Sequence, residues 1–397
     1  MAIIRSLGQH GVDVVAADSS RLSPGFVSRF SSGRVAYPPP DEGDTVAALA
    51  DAAAAHNIDL VVPVGEDIVM LLSAKREQFS GVTTLALPDH AALGTVRDKL
   101  ETVKLAGRLE IPAPRTALAR DAEEALAQVH EFRWPVVLKP RASRALRQGG
   151  RVEAFGVAYA DDASQLAERM RRFEGRSSVL LQEYCEGEGH GVGLLMNRGV
   201  PLAAFQHRRL REVPFTGGPS SLRESVPLDP VLFQRSVRLL QALEWTGPAM
   251  VEFKVSATTA ALMEINGRIW GSLGLAVKSG VDFPRKLVDL YLEPSEPTTE
   301  PMRAYALGVR SRDLGLELTW IASVLGRRRP YDFLPSPRRR DALGAAIRLF
   351  DPRDGFDILS ARDPLPGLAE LLNIVRKVLR RIAPVARTHP RPIPGKP

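Results

Sequence analysis

Two glutamates stand inside apolar runs where a charge is out of place: Glu252 in Met250-Val251-Glu252-Phe253 and Glu264 in Leu262-Met263-Glu264-Ile265. Buried carboxylates are rare without a partner. If the two runs form a hairpin with its turn centred on Thr258, Glu252 stands opposite Glu264, and Asn266, two residues on, shares their face. Carboxylates at cross-strand distance repel, so a proton or a cation must lie between them. Carboxylate and amide oxygens suit a hard cation, and magnesium held between a few carboxylates and a substrate's phosphates is the commonest use of such a set. The alternative is a structural ion pair in which Lys254, on the same face, neutralises the carboxylates.

Lys139 ends the apolar run Val136-Val137-Leu138 just before Pro140 and a polar, basic loop, so its ammonium can reach a phosphate or simply extend to water. Lys99, in Arg97-Asp98-Lys99, stands on a helix face and is open to the same two readings. Other chemistries lack material. The glycines at 187, 189, 191 and 193 alternate but fit neither the Walker pattern nor the dinucleotide fingerprint. Cys185 is the single cysteine, which excludes an intrachain disulfide and reads as a packing residue. No two of the seven histidines have metal-ligand spacing on one element, and a structural role is expected for His207.

The elements that must position these residues follow from periodicity. A helix at Ala2 to His10, a strand at Val12 to Ala17, helices at Thr45 to His56 and Asp67 to Gln78, and strands at Leu60 to Val64 and Thr84 to Leu87 make a βα series, hence a parallel sheet. Such a domain usually begins with a strand, so an upstream in-frame extension is expected. A helix from Ala91 to Leu109 ends at the prolines of Ile111-Pro112-Ala113-Pro114. Strands at Pro135 to Lys139, Val152 to Tyr159 and Val179 to Tyr184 with a helix at Asp161 to Phe173 make a small α+β lid over about 115–186. Strands flanking Asn197-Arg198-Gly199, an amphipathic helix from Pro230 and the glutamate hairpin complete an expected domain at 95–292, between 1–94 and a basic, mainly helical region at 293–397.

The net charge of +7 over 397 residues is concentrated near the C-terminus, in Arg327 to Arg329, Arg338 to Arg340 and Arg376 to Arg381. No nucleic-acid motif or aromatic interleaving accompanies it, so a solvated basic face is expected. With no secretion signal and no long apolar run, the expectation is a cytoplasmic protein without a membrane span.

The joint order is more specific than any member: Asp98-Lys99, Lys139-Pro140, Gln182-Glu183-Tyr184, then Glu252, Glu264, Asn266 and Arg268. In this the chain resembles the ATP-grasp superfamily over about residues 1 to 290. Glu264-Ile265-Asn266-Gly267-Arg268 is similar to the Glu-X-Asn-X-Arg stretch of biotin carboxylase and carbamoyl phosphate synthetase, and the region from Gly217 to Pro284 looks like carboxylate-amine ligases and D-aspartate ligase. The resemblance implies an ATP-grasp fold, α/β and α+β, behind an N-terminal parallel α/β domain. It implies that Lys99 and Lys139 contact nucleotide phosphates, and that Glu252, Glu264 and Asn266 hold two magnesium ions, with manganese an accepted replacement.

It further implies adenine at Gln182, Glu183, Tyr184 and Cys185. Where relatives carry a ribose-binding glutamate this chain has Gly189, and Glu188 is the expected substitute. The loop from Arg141 to Gly150 is less glycine-rich than in many relatives. Arg268 would face the transferred phosphoryl group or a substrate carboxylate, with Arg209 and Arg223 as further candidates. The implied activity is ATP-dependent joining of a small carboxylate, activated as an acyl phosphate, to an amine such as an amino acid or peptide. Phosphorylation or carboxylation at the same site, and a non-catalytic nucleotide-binding module with a basic tail, stand as alternatives. Related folds often dimerise, so a homodimer is one possible state, which the residues do not decide.

Overall fold

The computed structural model describes residues 1–40, 43–142, 144–146, 152–293, 304–326 and 331–382. Half of the basic loop from Arg141 to Gly150, the linker at 294–303 and Arg327 to Arg329 lie outside these residues.

The N-terminal segment holds α1 (Ala2–Gln9), β1 (Val15–Asp18), β2 (Gly33–Ala36), α2 (Thr45–Ala55), β3 (Leu60–Val61), α3 (Glu66–Ala74) and β4 (Thr84–Leu85); β2 is a strand that the periodicity does not mark, and the one parallel sheet expected is two two-stranded ones. β1 pairs with β2 and β3 with β4, both in parallel. The single helix expected over Ala91 to Leu109 is instead two, α4 (His90–Arg97) and α5 (Lys99–Arg108). Asp98 makes the break: its carboxylate accepts the amide hydrogens of Leu100 and Glu101 and so starts a new helix. Arg141 Nε also donates to Asp98 Oδ2 at 2.8 Å. Lys99 is therefore the first residue of α5, fixed by the cap.

The lid holds β5 (Thr116–Ala119), α6 (Ala122–Gln128), β6 (Val136–Pro140), a hairpin of β7 (Arg144–Leu146) and β8 (Val152–Ala154), β9 (Ala158–Ala160), α7 (Ala163–Met170) and β10 (Val179–Glu183). Its sheet runs β5-β10-β6-β9, antiparallel throughout, and buries Val136, Leu138, Leu166, Met170 and Leu181. The strand expected from Val152 to Tyr159 is two short ones belonging to different sheets.

The body holds β11 (Glu188–Asn197), β12 (Val200–Glu212), β13 (Ser220–Ser225), α8 (Pro230–Gln241), β14 (Gly247–Val255), β15 (Ala260–Asn266), α9 (Leu273–Lys278) and α10 (Phe283–Leu292). The turn between β11 and β12 is set by Arg198 and Gly199, both at positive φ, 48° and 79°, as a tight hairpin requires. The C-terminal region supplies β16 (Arg310–Arg312), α11 (Leu314–Leu325), α12 (Arg339–Arg348), β17 (Asp354–Phe356) and α13 (Leu365–Ile382). It is largely helical, but its two strands extend the main sheet, whose order is β15-β14-β11-β12-β13-β16-β17.

A main core under this sheet includes Val96, Leu105, Val192, Leu239, Trp245 and Val251, so α4, α5 and α8 brace the strands that carry the site. At the other edge, buried charges tie in the C-terminal strands. Arg312 pairs with Asp354, Arg211 pairs with Glu317, and Arg312 lies 3.8 Å from Glu317.

Candidate active site

β14 and β15 form the expected hairpin, with Glu252 directly opposite Glu264 and Met250 opposite Asn266. A bulge follows Glu252, so that Phe253 faces Leu262 and Met263 drops out of register. The Met263 carbonyl accepts from Lys139 Nζ at 3.0 Å. Asn266 Nδ2 donates to Glu252 Oε1 at 2.9 Å and lies 3.4 Å from Glu264 Oε1. Arg268 Nη2 reaches Asn266 Oδ1 at 3.4 Å, and its Nη1 donates to the Ile269 carbonyl at 2.9 Å.

Each glutamate has its own cation. Arg209 pairs with Glu252, and Lys139 Nζ lies 3.9 Å from Glu264. Burial raises the Glu252 carboxyl above its ordinary range; Arg209 opposes the rise and Glu264 adds to it. Burial pushes the Glu264 carboxyl upward too, but Lys139, Lys99 and Arg209 together hold it below the ordinary value. Burial lowers the Lys99 ammonium, with Glu264 resisting and Lys139 reinforcing the shift. Lys254 pairs instead with Glu212 at 3.2 Å, so the cation beside Glu252 comes from β12.

Glycines on the central strand make this reach available. Gly189, Gly191 and Gly193 share one face of β11. A Cβ on Gly191 would lie 2.4 Å from His207 Cε1, one on Gly193 2.4 Å from Trp270 Cζ2, and one on Gly189 2.8 Å from Glu212 Oε1 and 3.0 Å from Arg209 Cδ. The alternation that matched no nucleotide motif is a cleared floor, across which side chains of β12 extend toward β14. Glu212 and Trp270 are residues that the sequence does not point to, with the period-two glycines as a signal for such an arrangement; His207, read as structural although it stands beside two arginines, lines the cavity too.

A cavity of about 770 Å³ opens over this floor. Every expected site residue except Lys99 and Glu188 lines it: Arg268, Arg209, Arg223, Lys139, Gln182, Glu183, Tyr184, Cys185, Glu252, Glu264 and Asn266. Lys99 is buried beside the cavity, close enough to Glu264 and Lys139 to shift with them. Glu188 is well exposed, its carboxylate 3.7 Å from both His190 and Arg208. Burial, then Glu183, pushes the Cys185 thiol up, the direction that disfavours the reactive thiolate.

The lining falls into two chemical groups. Val137, Tyr159 and Leu334 pack together beside Tyr184 and give an apolar wall next to the end of β10. The second group gathers His207, Arg223, Arg268, Trp270 and Ser272. Arg223 is held by Asp357, by the Ser220 carbonyl at 2.8 Å and by the Gly271 carbonyl at 3.4 Å. His207 Nε2 lies 3.3 Å from Ser272 Oγ. Burial, then Arg209 and Arg223 nearby, pushes its imidazole well below the ordinary histidine range. Among the described residues His207 Nδ1, Trp270 Nε1 and Arg223 Nε make no hydrogen bond although buried. Buried polar groups are normally satisfied, so this wall fits a polar, anionic substrate.

The two carboxylates and one amide fit a hard cation. No cluster of three or more His, Cys, Asp or Glu side chains able to hold a metal occurs among the described residues, so such a cation would draw further oxygens from phosphate or water.

Residues 176–311 match the family described as ATP-grasp in the biosynthetic pathway with Ter operon. The chain is 26% identical over 255 residues to a probable alpha-L-glutamate ligase 2 of Pseudoalteromonas atlantica, a match covering 62% of this chain and 80% of that one. It is 25% identical over 241 residues to a ribosomal protein bS6–L-glutamate ligase of Escherichia coli, covering 58% and 76%. Among solved structures, a biotin carboxylase–beta-gamma-ATP complex from Campylobacter jejuni superposes with a TM-score of 0.60 at 16% identity, covering 78% of this chain and 71% of that one. An L-amino acid ligase from Bacillus licheniformis gives 0.59 at 17% identity, covering 76% and 74%. The chain has the ATP-grasp fold, and its residues 176–311 are similar to an ATP-grasp family.

Proposed function

We propose that this chain is an ATP-dependent carboxylate-amine ligase that activates a carboxylate as an acyl phosphate and transfers it to the amino group of an amino acid or peptide. The observation that carries this reading is one cavity in which Glu252, Glu264 and Asn266 stand beside Lys139, facing a wall rich in arginine. The relatives named as glutamate ligases support amino acids as the substrate class.

Glu252, Glu264 and Asn266 would hold magnesium, two ions by the family resemblance, which when bound neutralises charge on the phosphates of ATP. Lys139 and Lys99 bind phosphate oxygens. Adenine lies at Gln182 to Cys185 against Val137, Tyr159 and Leu334. For the ribose Glu212 is better placed than Glu188, because its carboxylate stands where a side chain at Gly189 would begin. Arg268 and Arg223 orient the substrate carboxylate so that its oxygen attacks the γ-phosphorus, and ADP leaves. The amine nitrogen then attacks the acyl carbon and phosphate departs. The lid over the cavity excludes the water that would hydrolyse the intermediate.

The test is ADP and phosphate release with ATP and magnesium across amino acids offered singly and in pairs, with Glu264→Gln as control. Release that depends on a particular pair and disappears in the control is expected. Release that needs no amine would replace the ligase reading with a kinase or carboxylase at the same site.

A further inference from the structure

Helix α13 leaves an apolar stripe uncovered. Leu365, Leu368, Leu371, Leu372, Val375, Val378 and Leu379 are all exposed, Leu372 at 60% and Leu379 at 58%. The opposite side of the helix is the one that packs on the body: Gly367 and Glu370 are buried, and Asn373 Nδ2 donates to the Leu22 carbonyl at 2.9 Å. A soluble surface seldom leaves so many large apolar side chains together in water.

The charge around the stripe selects what covers it. Within α13 the sequence has four Lys or Arg (Arg376, Lys377, Arg380 and Arg381) and one acid, Glu370. That one acid faces the body, so the outward side offers leucine, valine and cations only. The steps from 365 to 368, 372, 375 and 379 would also suit pairing with a second copy. Such a pair would bring Arg376 and Lys377 against like charges with no exposed carboxylate on the helix to offset them. An anionic bilayer surface complements both features at once, taking the leucines into its boundary and the cations against its headgroups. Helix α12 also exposes Leu343 and Ile347, with Phe350 just past its end at 88%, and carries Arg339, Arg340 and Arg348 with one exposed acid, Asp341. Among the described residues no helix is long and apolar enough to cross a membrane, so the contact is with the surface.

We propose that α13 docks this chain onto an anionic membrane surface. This is independent of the ligase reading, since no residue of the stripe lines the cavity.

The experiment is flotation of the full chain with vesicles of phosphatidylcholine alone and of phosphatidylcholine mixed with phosphatidylglycerol, at low and high salt. The chain should float with the anionic vesicles only, and less so as salt rises. Leu372→Glu with Leu379→Glu, and separately Arg376→Gln with Lys377→Gln, should each weaken binding by roughly tenfold or more while leaving the melting temperature and ATP turnover in place. No flotation with anionic vesicles at low salt, or equal flotation with neutral ones, overturns the proposal. So does a dimer by light scattering that the leucine pair dissolves, since the stripe would then be an interface between copies.

Discussion

Arg209 of β12 pairs with Glu252 of β14 across the strand that separates them, β11, which carries glycine at 189 and 191. This contact explains how Glu252, which is buried, and Glu264, which is half-buried, can face each other before any ligand arrives. Glu252 is matched by a guanidinium and Glu264 by the Lys139 ammonium, so the site is assembled by its own cations rather than by the cation it is proposed to bind. Preorganised charge of this kind costs little rearrangement when a phosphate substrate enters.

Glu264→Gln should remove a charge that Lys139, Lys99 and Arg209 all face. ATP turnover should fall by about a hundredfold or more, equivalent to several kcal/mol of lost charge stabilisation. Calorimetric titration with ATP, with and without magnesium, separates the effects: the variant should lose most of the magnesium-dependent part of binding. Full magnesium dependence in the variant would remove Glu264 from the proposed metal set.

Gly193→Ala should place a methyl group against Trp270 in a packed region and cost about 1–3 kcal/mol in urea unfolding. Gly94→Ala, exposed in α4 with nothing near its added Cβ, should be neutral or stabilising by roughly 0.5–1 kcal/mol. A tolerated alanine at 193 would show that the floor of β11 does not need clearing.

Asp354→Asn should remove the paired carboxylate of Arg312, whose side chain has no solvent exposure, and leave it Glu317 at 3.8 Å. Breaking one member of a buried ion pair typically costs roughly 3–5 kcal/mol, and the loss should appear as one cooperative transition because β17 belongs to the main sheet. Separate melting of the C-terminal region would contradict that integration.

Glu370 gives a pH signature. Its carboxyl is pushed up to about 7 by burial, then by Asp313 and Asp357, and its Oε2 makes no hydrogen bond among the described residues. A folded-state value above the unfolded one, near 4.3 for glutamate, means that its stability contribution is complete at low pH and is lost as pH rises through about 7. Glu370→Gln should therefore gain on the parent between pH 5 and pH 8, on the order of 1 kcal/mol because water still reaches part of the group. Parallel melting curves for the two proteins across that range would refute the assignment.

Much of the site was legible because it is local. Glu252 and Glu264 lie on one hairpin, where a period of two puts them on one face, and charges inside apolar runs mark themselves. The details were not. The pairing expected from a turn at Thr258 holds at Glu252 only because a bulge absorbs a shifted register nearer the turn. Asp98 reads as a helix residue until its carboxylate is seen to cap α5.

The sequence by itself determined the order of elements, the glutamate hairpin and the lysines near it, since these rest on periodicity and on neighbours close along the chain. Only the tertiary structure decided that Arg209 rather than Lys254 meets Glu252, that His207 and Trp270 share the cavity wall, and that β16 and β17 extend the sheet. Those facts depend on which strands lie side by side. Arg312 and Asp354 are 42 residues apart and Arg223 and Asp357 are 134, and no spacing rule reaches that far.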